Sequence, residues 1–278
     1  MRLLVRDNGS SDGTAEAIRR DVSEAIVEAG PENLGFAAGM NRLLQLSDAP
    51  WFFPLNSDAW PEPGAIRRLV ATGEEHPRAA AIAPRLERPD GRLEHSTHPF
   101  PSVGVAIRST LPHYAERHPT RARELMLNGA WTHDEQRDVD WAVGAALLMR
   151  RSALDDIGPF DERLFMYAED LDWCWRARHR GWTIRFEPQA VVRHIGNASG
   201  SQQERSWRNQ SVWRNTYRVC RWTKGPLPTA AYRLANVVGA SLAWWTSRRN
   251  PPGRAHYRRE LRAHLSSTRR SDRPPGDS

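Results

Sequence analysis

Residues 165–176 read FMYAEDLDWCWR and set three carboxylates, Glu169, Asp170 and Asp172, among aromatic side chains. Like charges this close repel, so the cluster needs solvent, a counter-ion or a reaction that uses a carboxylate. Local structure accounts for part of it. The spacing predicts a helix from Leu171 to Arg180, closed by Gly181, with Asp170 as N-cap and Asp172 in the first turn. Asp172 also stands four residues before Arg176, the spacing of a surface ion pair. Glu169 is left without a structural task. Three further sets of polar residues follow short apolar runs: Asp7 after RLLVR, Asn56-Ser57-Asp58 at the end of WFFPLN, and His194 after VVR. Each has a plain alternative, since Asp7-Asn8-Gly9 is a good turn, Asp58 can open a turn, and a single histidine is often a surface residue. Taken together, an Asp, a carboxylate pair and a His at strand ends can hold a hard divalent cation and still leave a base. Oxygen ligands suit Mg²⁺ or Mn²⁺, and an imidazole favours Mn²⁺.

The elements that must position these groups alternate between strand and helix. RLLVR is a short strand, and a helical stretch is expected from Ala15 to Ala29, closed by Gly30-Pro31. NLGFAAGMNRLLQL (33–46) reads as a glycine-bearing loop entering a helix. WFFPLN (51–56) is a buried strand, in which Pro54 implies a bulge or a strand-end distortion. PGAIRRLVATGEEHP is a helix, AAAIAPRLE (79–87) a strand, VDWAVGAALLMRR (139–151) strand-like, SALDDIG a short helix, and TIRFEP (183–188) a strand before VVRHIG. Residues 96–137 lack periodicity and read as an inserted loop region. The order indicates an α/β layer architecture, with ligands beyond the carboxyl ends of the strands. Residues 1–200 form the expected catalytic domain, 201–265 a helical, basic and aromatic extension, and 266–278 a disordered tail.

Composition narrows the class. The 278 residues are 39 % apolar, and 12 Trp argue against disorder. Two cysteines, Cys174 and Cys220, make no disulfide framework and point to a reducing compartment. MRLLVRDNG lacks the apolar core of a signal peptide, and the longest apolar stretch, 234–245, is too short to span a bilayer. Charge is uneven. Residues 201–278 hold 16 Lys and Arg against 4 Asp and Glu, whereas residues 1–200 hold 24 against 29. An acidic body with a tail of net charge +12 points to a polyanionic partner for the tail. In residues 226–265, Tyr232, Leu234, Val237, Leu242, Trp244, Trp245 and Tyr257 alternate with arginines, a pattern that either lies in lipid headgroups or packs on the catalytic domain.

Six stretches, DNGSSDGT (7–14), NLGFAAGMN (33–41), LNSDA (55–59), VGAALLMRRSAL (143–154), GPFDERLFMYAEDLDWCWRARHRGW (158–182) and VVRHIGNAS (191–199), stand in one order. Together they resemble the inverting family 2 glycosyltransferases of GT-A fold, in particular the rhamnosyltransferase-like branch of bacterial envelope synthesis. The likeness runs from Leu3 to about Ser199, with a looser match at RNQSVWRN. It implies a Rossmann-like nucleotide-sugar-binding sheet with flanking helices. It implies that Asp7, with Asn8, Gly35 and Asn56, binds the donor nucleotide. Asp58 matches the last Asp of the metal-binding signature, written Asn-x-Asp in this branch, and His194 a histidine on the same metal. Asp140, Trp141 and Gly144 fall where the family shapes the sugar and acceptor pocket. Glu169-Asp170 match the pair whose second member is the catalytic base.

The resemblance further implies a nucleoside-diphosphate sugar donor, a glycan or lipid-linked acceptor, and a cytoplasmic enzyme attached peripherally to the inner face of the plasma membrane. Family members begin with a further strand and helix before the DNGSSDGT segment, so coding sequence upstream of Met1 is expected. A catalytically inactive, glycosyltransferase-like binding module is the competing reading. Nucleic-acid binding is not expected, since no recognition fold or aromatic RNA-binding signature accompanies the arginines.

Overall fold

The computed structural model describes residues 1–110, 133–196, 202–247 and 251–266. A parallel pair opens the chain: β1 (Leu4–Asp7), helix α1 (Thr14–Asp21) and β2 (Ile26–Ala29), with Leu4 opposite Ile26 and Asp7 opposite Ala29. Helix α2 (Gly35–Gln45) follows. The larger sheet runs in the order β3 (Trp51–Phe52), β10 (Leu148–Arg150), β5 (Ala79–Glu87), β11 (Thr183–His194), β4 (Ala59–Pro61). Two short strands join it, β6 (Leu93–Glu94) on β5 and β8 (Arg137–Val139) on β11. β7 (Thr97–His98) and β9 (Trp141–Ala142) form a separate antiparallel pair.

β5 and β11 pair in parallel at the centre of this sheet. Because a central strand is covered on both faces, β5 opens as an unbroken apolar run, AAAIAP, rather than an alternating one, and becomes polar only at Arg85 and Glu87. Successive side chains point to opposite faces, and the packing follows that rule. Ile82 and Leu148 meet Ala65 and Leu69 of helix α3 (Ala65–Glu75). Ala81, Ala83 and Met149 meet Leu154 of α5 (Arg151–Ile157) and Trp173 and Ala177 of α6 (Glu169–His179). Helices α4 (Val103–Thr110), α7 (Gln202–Lys224), α8 (Pro226–Thr246) and α9 (Pro251–Leu265) pack together beside this body.

Several boundaries differ from the sequence reading. The helix expected over 15–29 stops at Asp21, because Ile26 and Val27 pair with β1 instead. WFFPLN is a strand only at Trp51–Phe52. Pro54 has no N–H to give, so the pairing breaks there, and its carbonyl accepts from Leu147 N at 3.2 Å while Leu55 bridges Ala146. VDWAVGAALLMRR divides into the end of β8, then β9 and β10, whereas TIRFEP and VVRH merge into β11 with a register shift between Glu187 and Val191. Of the expected loop region 96–137, β7, α4 and β8 hold ordered positions, and residues 111–132 lie outside the described residues. The expected disordered tail also lies outside them, apart from Ser266.

Candidate active site

The carboxylate cluster begins with a forced turn. Gly35 has φ +77, and a Cβ there would sit 2.1 Å from the Phe165 carbonyl oxygen. Only glycine lets α2 start against this loop, and Phe36 N then donates to Phe165 O at 2.8 Å. Two residues on, Tyr167 and Ala168 both take left-handed conformations, φ 72 and 68, which non-glycine residues adopt at a cost. Asn215 of α7 holds this turn, its Nδ2 donating to Met166 O at 3.0 Å and Tyr167 O at 3.3 Å. Asn215 was not among the residues singled out from the sequence, and its signal was the RNQSVWRN match.

This turn corrects the expected cap. α6 starts at Glu169, and its N-cap is Ala168, which makes no side-chain cap bond, so Asp170 lies inside the first turn. All three carboxylates are buried there. The helix dipole favours negative charge at this end, and burial opposes it. Asp170 is fixed at both oxygens: Oδ2 accepts from Gly144 N at 2.8 Å and Oδ1 from Leu171 N at 2.7 Å. Burial outweighs these bonds and raises its pKa to about 6. Glu169 is pushed well above the usual carboxylate range, first by burial and then by the charge of Asp170. Its Oε2 has no hydrogen-bond partner among the described residues. Asp172 is not the surface pair that the sequence spacing suggested. It is buried and accepts from Arg176 Nε at 2.8 Å, while Arg176 also donates to Ile157 O and Pro159 O, which ties α6 to the end of α5.

Asp7, the last residue of β1, is buried and accepts from Ser10 N at 2.9 Å, so it does form the turn that its neighbours predict. Asn8 accepts from Arg6 Nε at 3.1 Å and donates from Nδ2 to Gly35 O at 3.2 Å. The DNG turn, the start of α2 and the FMYAED loop are thereby joined. Asp140 and Trp141 brace another wall: Asp140 Oδ2 accepts from Phe100 N at 2.9 Å, and Trp141 Nε1 donates to Pro99 O at 3.1 Å. Gly144 is the closer of the three to the cluster, with space for a Cβ only 3.4 Å from the Phe36 ring and 3.7 Å from Asp170 Cβ.

A second polar group forms where β4 meets the end of β11. Ala59 pairs with His194, Ile195 N donates to Asp58 O at 2.9 Å, and His194 Nε2 comes within 3.2 Å of Asp58 Oδ1. Glu94 Oε2 lies 3.1 Å from the other ring nitrogen, Nδ1, and this bond is the main reason that the His194 pKa is raised. With a carboxylate beside each ring nitrogen, the protonated imidazole is favoured, and Nε2 has to give up its proton before it can ligate a cation. Glu94 carried no motif in the sequence. Among the described residues no group of three or more His, Cys, Asp and Glu is placed to hold a metal ion. Asp58 and His194 are two neighbouring groups of the types that can ligate a divalent cation.

The segment Val143–Ala145 links the two groups. Val143 N donates to Ser96 O, Gly144 N to Asp170, and Ala145 O accepts from Asn56 N at 2.9 Å. A cavity on the β4–β11 side, lined in part by Arg68 and Arg193, stands apart from this chemistry. Its cations are already paired, Arg68 with Glu187 and Arg193 with Glu62 and Glu87.

Residues 1–158 match the family described as Glycosyl transferase family 2. The N-acetylglucosaminyl-diphospho-decaprenol L-rhamnosyltransferase of Mycobacterium tuberculosis is 34 % identical over 207 residues, 69 % of this chain and 66 % of that protein. The chain thus spans just under two thirds of that relative's length. A mannosyltransferase of Pyrobaculum calidifontis, solved with GDP-Man and Mn²⁺, superposes with a TM-score of 0.56 at 18 % identity, covering 94 % of this chain and 74 % of its own. GalNAc-T7, solved with UDP, GalNAc and Mn²⁺, gives 0.54 at 15 % identity, with coverage of 95 % and 48 %. Both neighbours are GT-A glycosyltransferases, and the fold here is theirs.

Proposed function

The chain belongs to glycosyl transferase family 2, and on that premise we propose that it is an inverting transferase with Asp170 as its base. It moves a sugar, rhamnose being the first candidate, from a nucleoside-diphosphate donor to a lipid-linked saccharide of the cell envelope. The relative that acts on a decaprenol-linked substrate supports that acceptor class. The enzyme then works in the cytoplasm, at the inner face of the plasma membrane. The observation that carries the reading is the geometry of Asp170: buried, fixed at both oxygens by backbone N–H groups, and with a pKa near 6.

In the reaction, an acceptor hydroxyl oxygen attacks the anomeric carbon from the face opposite the diphosphate. Asp170 takes the hydroxyl proton, the bond from the carbon to the diphosphate oxygen breaks, and the nucleoside diphosphate leaves with the electron pair. A base so placed contributes about 10²- to 10⁴-fold, and one titrating near the working pH suits the task. Glu169, whose carboxyl is pushed toward the protonated form by burial and by the charge of Asp170, stands beside the base in the acceptor pocket. Asp7 and Asn8, at the end of β1, border the donor nucleotide, and Gly35 and Asn56 shape its approach. Asp58 and His194, once its ring is deprotonated, would hold Mn²⁺ or Mg²⁺. When bound, such a cation offsets the charge that develops on the leaving diphosphate. Asp140, Trp141 and Gly144 form the wall of the sugar and acceptor pocket.

A thermal-shift screen of nucleotide sugars with and without Mn²⁺, followed by product analysis with the best donor, tests the proposal. Stabilisation by one donor and turnover with inverted anomeric configuration are expected. A chain that is stabilised by no nucleotide sugar, or that yields a retained configuration, contradicts it.

A further inference from the structure

Helix α8 carries two unlike faces. Tyr232, Asn236, Gly239, Ala240 and Ala243 are buried against the neighbouring helices. On the other side Leu227 is 81 % exposed, Leu234 62 %, Val238 47 %, Leu242 57 % and Trp245 54 %. At about 100° per residue these five fall within an arc of roughly 80°, and at about 1.5 Å per residue they extend about 27 Å. A contiguous apolar stripe of this kind on a soluble surface marks a contact with something else.

Charge says what that something is. The one charged residue of α8, Arg233, turns away from the stripe and donates to His264 O and Ser266 O, so the stripe itself is neutral. The neighbouring helix α9 exposes Arg254, Arg258, Arg259 and Arg262, while its acidic residue, Glu260, is occupied by Asn209 and Trp213. Just before α8, the half-exposed ring of Trp222 lies under two guanidinium groups, Arg163 at 4.2 Å and Arg218 at 5.4 Å. Apolar side chains with tryptophan, flanked by arginine, match the boundary between acyl chains and anionic headgroups. No described helix is long and apolar enough to cross a bilayer, so the stripe lies along the surface. A second copy of the chain fits less well. One helical stripe gives less than the roughly 800 Å² per partner of a standard interface. It would also bring two tails of net charge +12 together.

We infer that the outer stripe of α8, Leu227 to Trp245, seats the protein on an anionic lipid surface, with the α9 arginines holding the headgroups. The inference deepens the lipid-linked acceptor reading and rests on it, since a surface-bound enzyme meets its acceptor in two dimensions.

Co-sedimentation of the full chain with vesicles of mixed phosphatidylglycerol and phosphatidylcholine, and of phosphatidylcholine alone, is the test. The triple variant Leu234→Ser, Val238→Ser, Leu242→Ser changes only exposed side chains, and its melting curve checks that it folds. Binding to the anionic vesicles is expected, with a loss of on the order of tenfold or more in the triple variant. Arg258→Glu with Arg259→Glu is expected to remove the preference for anionic lipid. Equal binding of the native chain to both vesicle types, or unchanged binding by the triple variant, overturns the inference. So does a native dimer that the triple variant dissolves while neither chain binds vesicles. Donor-sugar turnover with detergent-solubilised acceptor is measured on the same preparations. Turnover without vesicle binding sinks the surface and leaves the catalytic reading. Vesicle binding without turnover sinks the catalytic reading.

Discussion

The Asp170 cluster and the Asp58–His194 pair are both acidic, yet they are built in opposite ways. Asp170 is buried and immobilised by two backbone donors, on a turn that is itself strained and pinned from α7. Asp58 sits at an open edge, with its side chain 43 % exposed and a single histidine nitrogen for company. A base has to be placed and tuned before substrate arrives, and burial with fixed dipoles does both. A cation shared with a diphosphate has to leave room for oxygens that the protein does not own. The fold spends its rigidity on the first group and leaves the second accessible.

The largest effect expected from breaking this contrast is at Asp170. Asp170→Asn keeps the shape and removes the proton acceptor, so transfer should fall by at least about 10²-fold with donor affinity little changed. Product formation and donor titration on the same preparation check it, and near-native turnover moves the role to Glu169 or ends the enzymatic reading. At the open pair the loss should fall on binding instead. Asp58→Ala should abolish the Mn²⁺-dependent part of donor affinity, and His194→Ala should weaken it. Calorimetry with and without EDTA measures both, and donor affinity indifferent to EDTA sinks the metal assignment. A smaller effect, on stability alone, is expected at the turn. Gly35→Ala places a methyl against the Phe165 carbonyl at positive φ, and should cost at least about 2 kcal/mol in a denaturant titration. An unchanged midpoint would show that the turn yields more easily than its contacts indicate.

The same contrast separates what the sequence disclosed from what it hid. β5 was legible because a central strand writes its burial on both faces, and α3 and α5 because their apolar spacing and flanking turns are local. The strand at Ile26–Ala29 was hidden, since its partner β1 lies some twenty residues away and the pairing overrides local helix signals. Asp170 and His194 were singled out by residue type, order and resemblance. The wrong cap arose because Ala168 is left-handed, a conformation supported by Asn215 from 47 residues further along the chain. Glu94 was missed for a similar reason: it meets His194 across 100 residues, through the sheet, with no motif of its own. Local chemistry was readable, and the groups that hold it in place were supplied by tertiary contacts.

The claim at the centre of this account is that Asp170, raised to about 6, is the base. The base works only when ionised, so transfer must fall as pH drops through that value, whereas an ordinary exposed aspartate would stay active to near pH 4. The direct measurement is the pH dependence of kcat/KM for transfer in the native chain and in Asp170→Asn. An acid limb with an apparent pKa near 6 in the native chain, absent from the residual activity of the variant, is the expected result. A native profile that stays flat down to pH 5, or the same limb persisting in the variant, would contradict it.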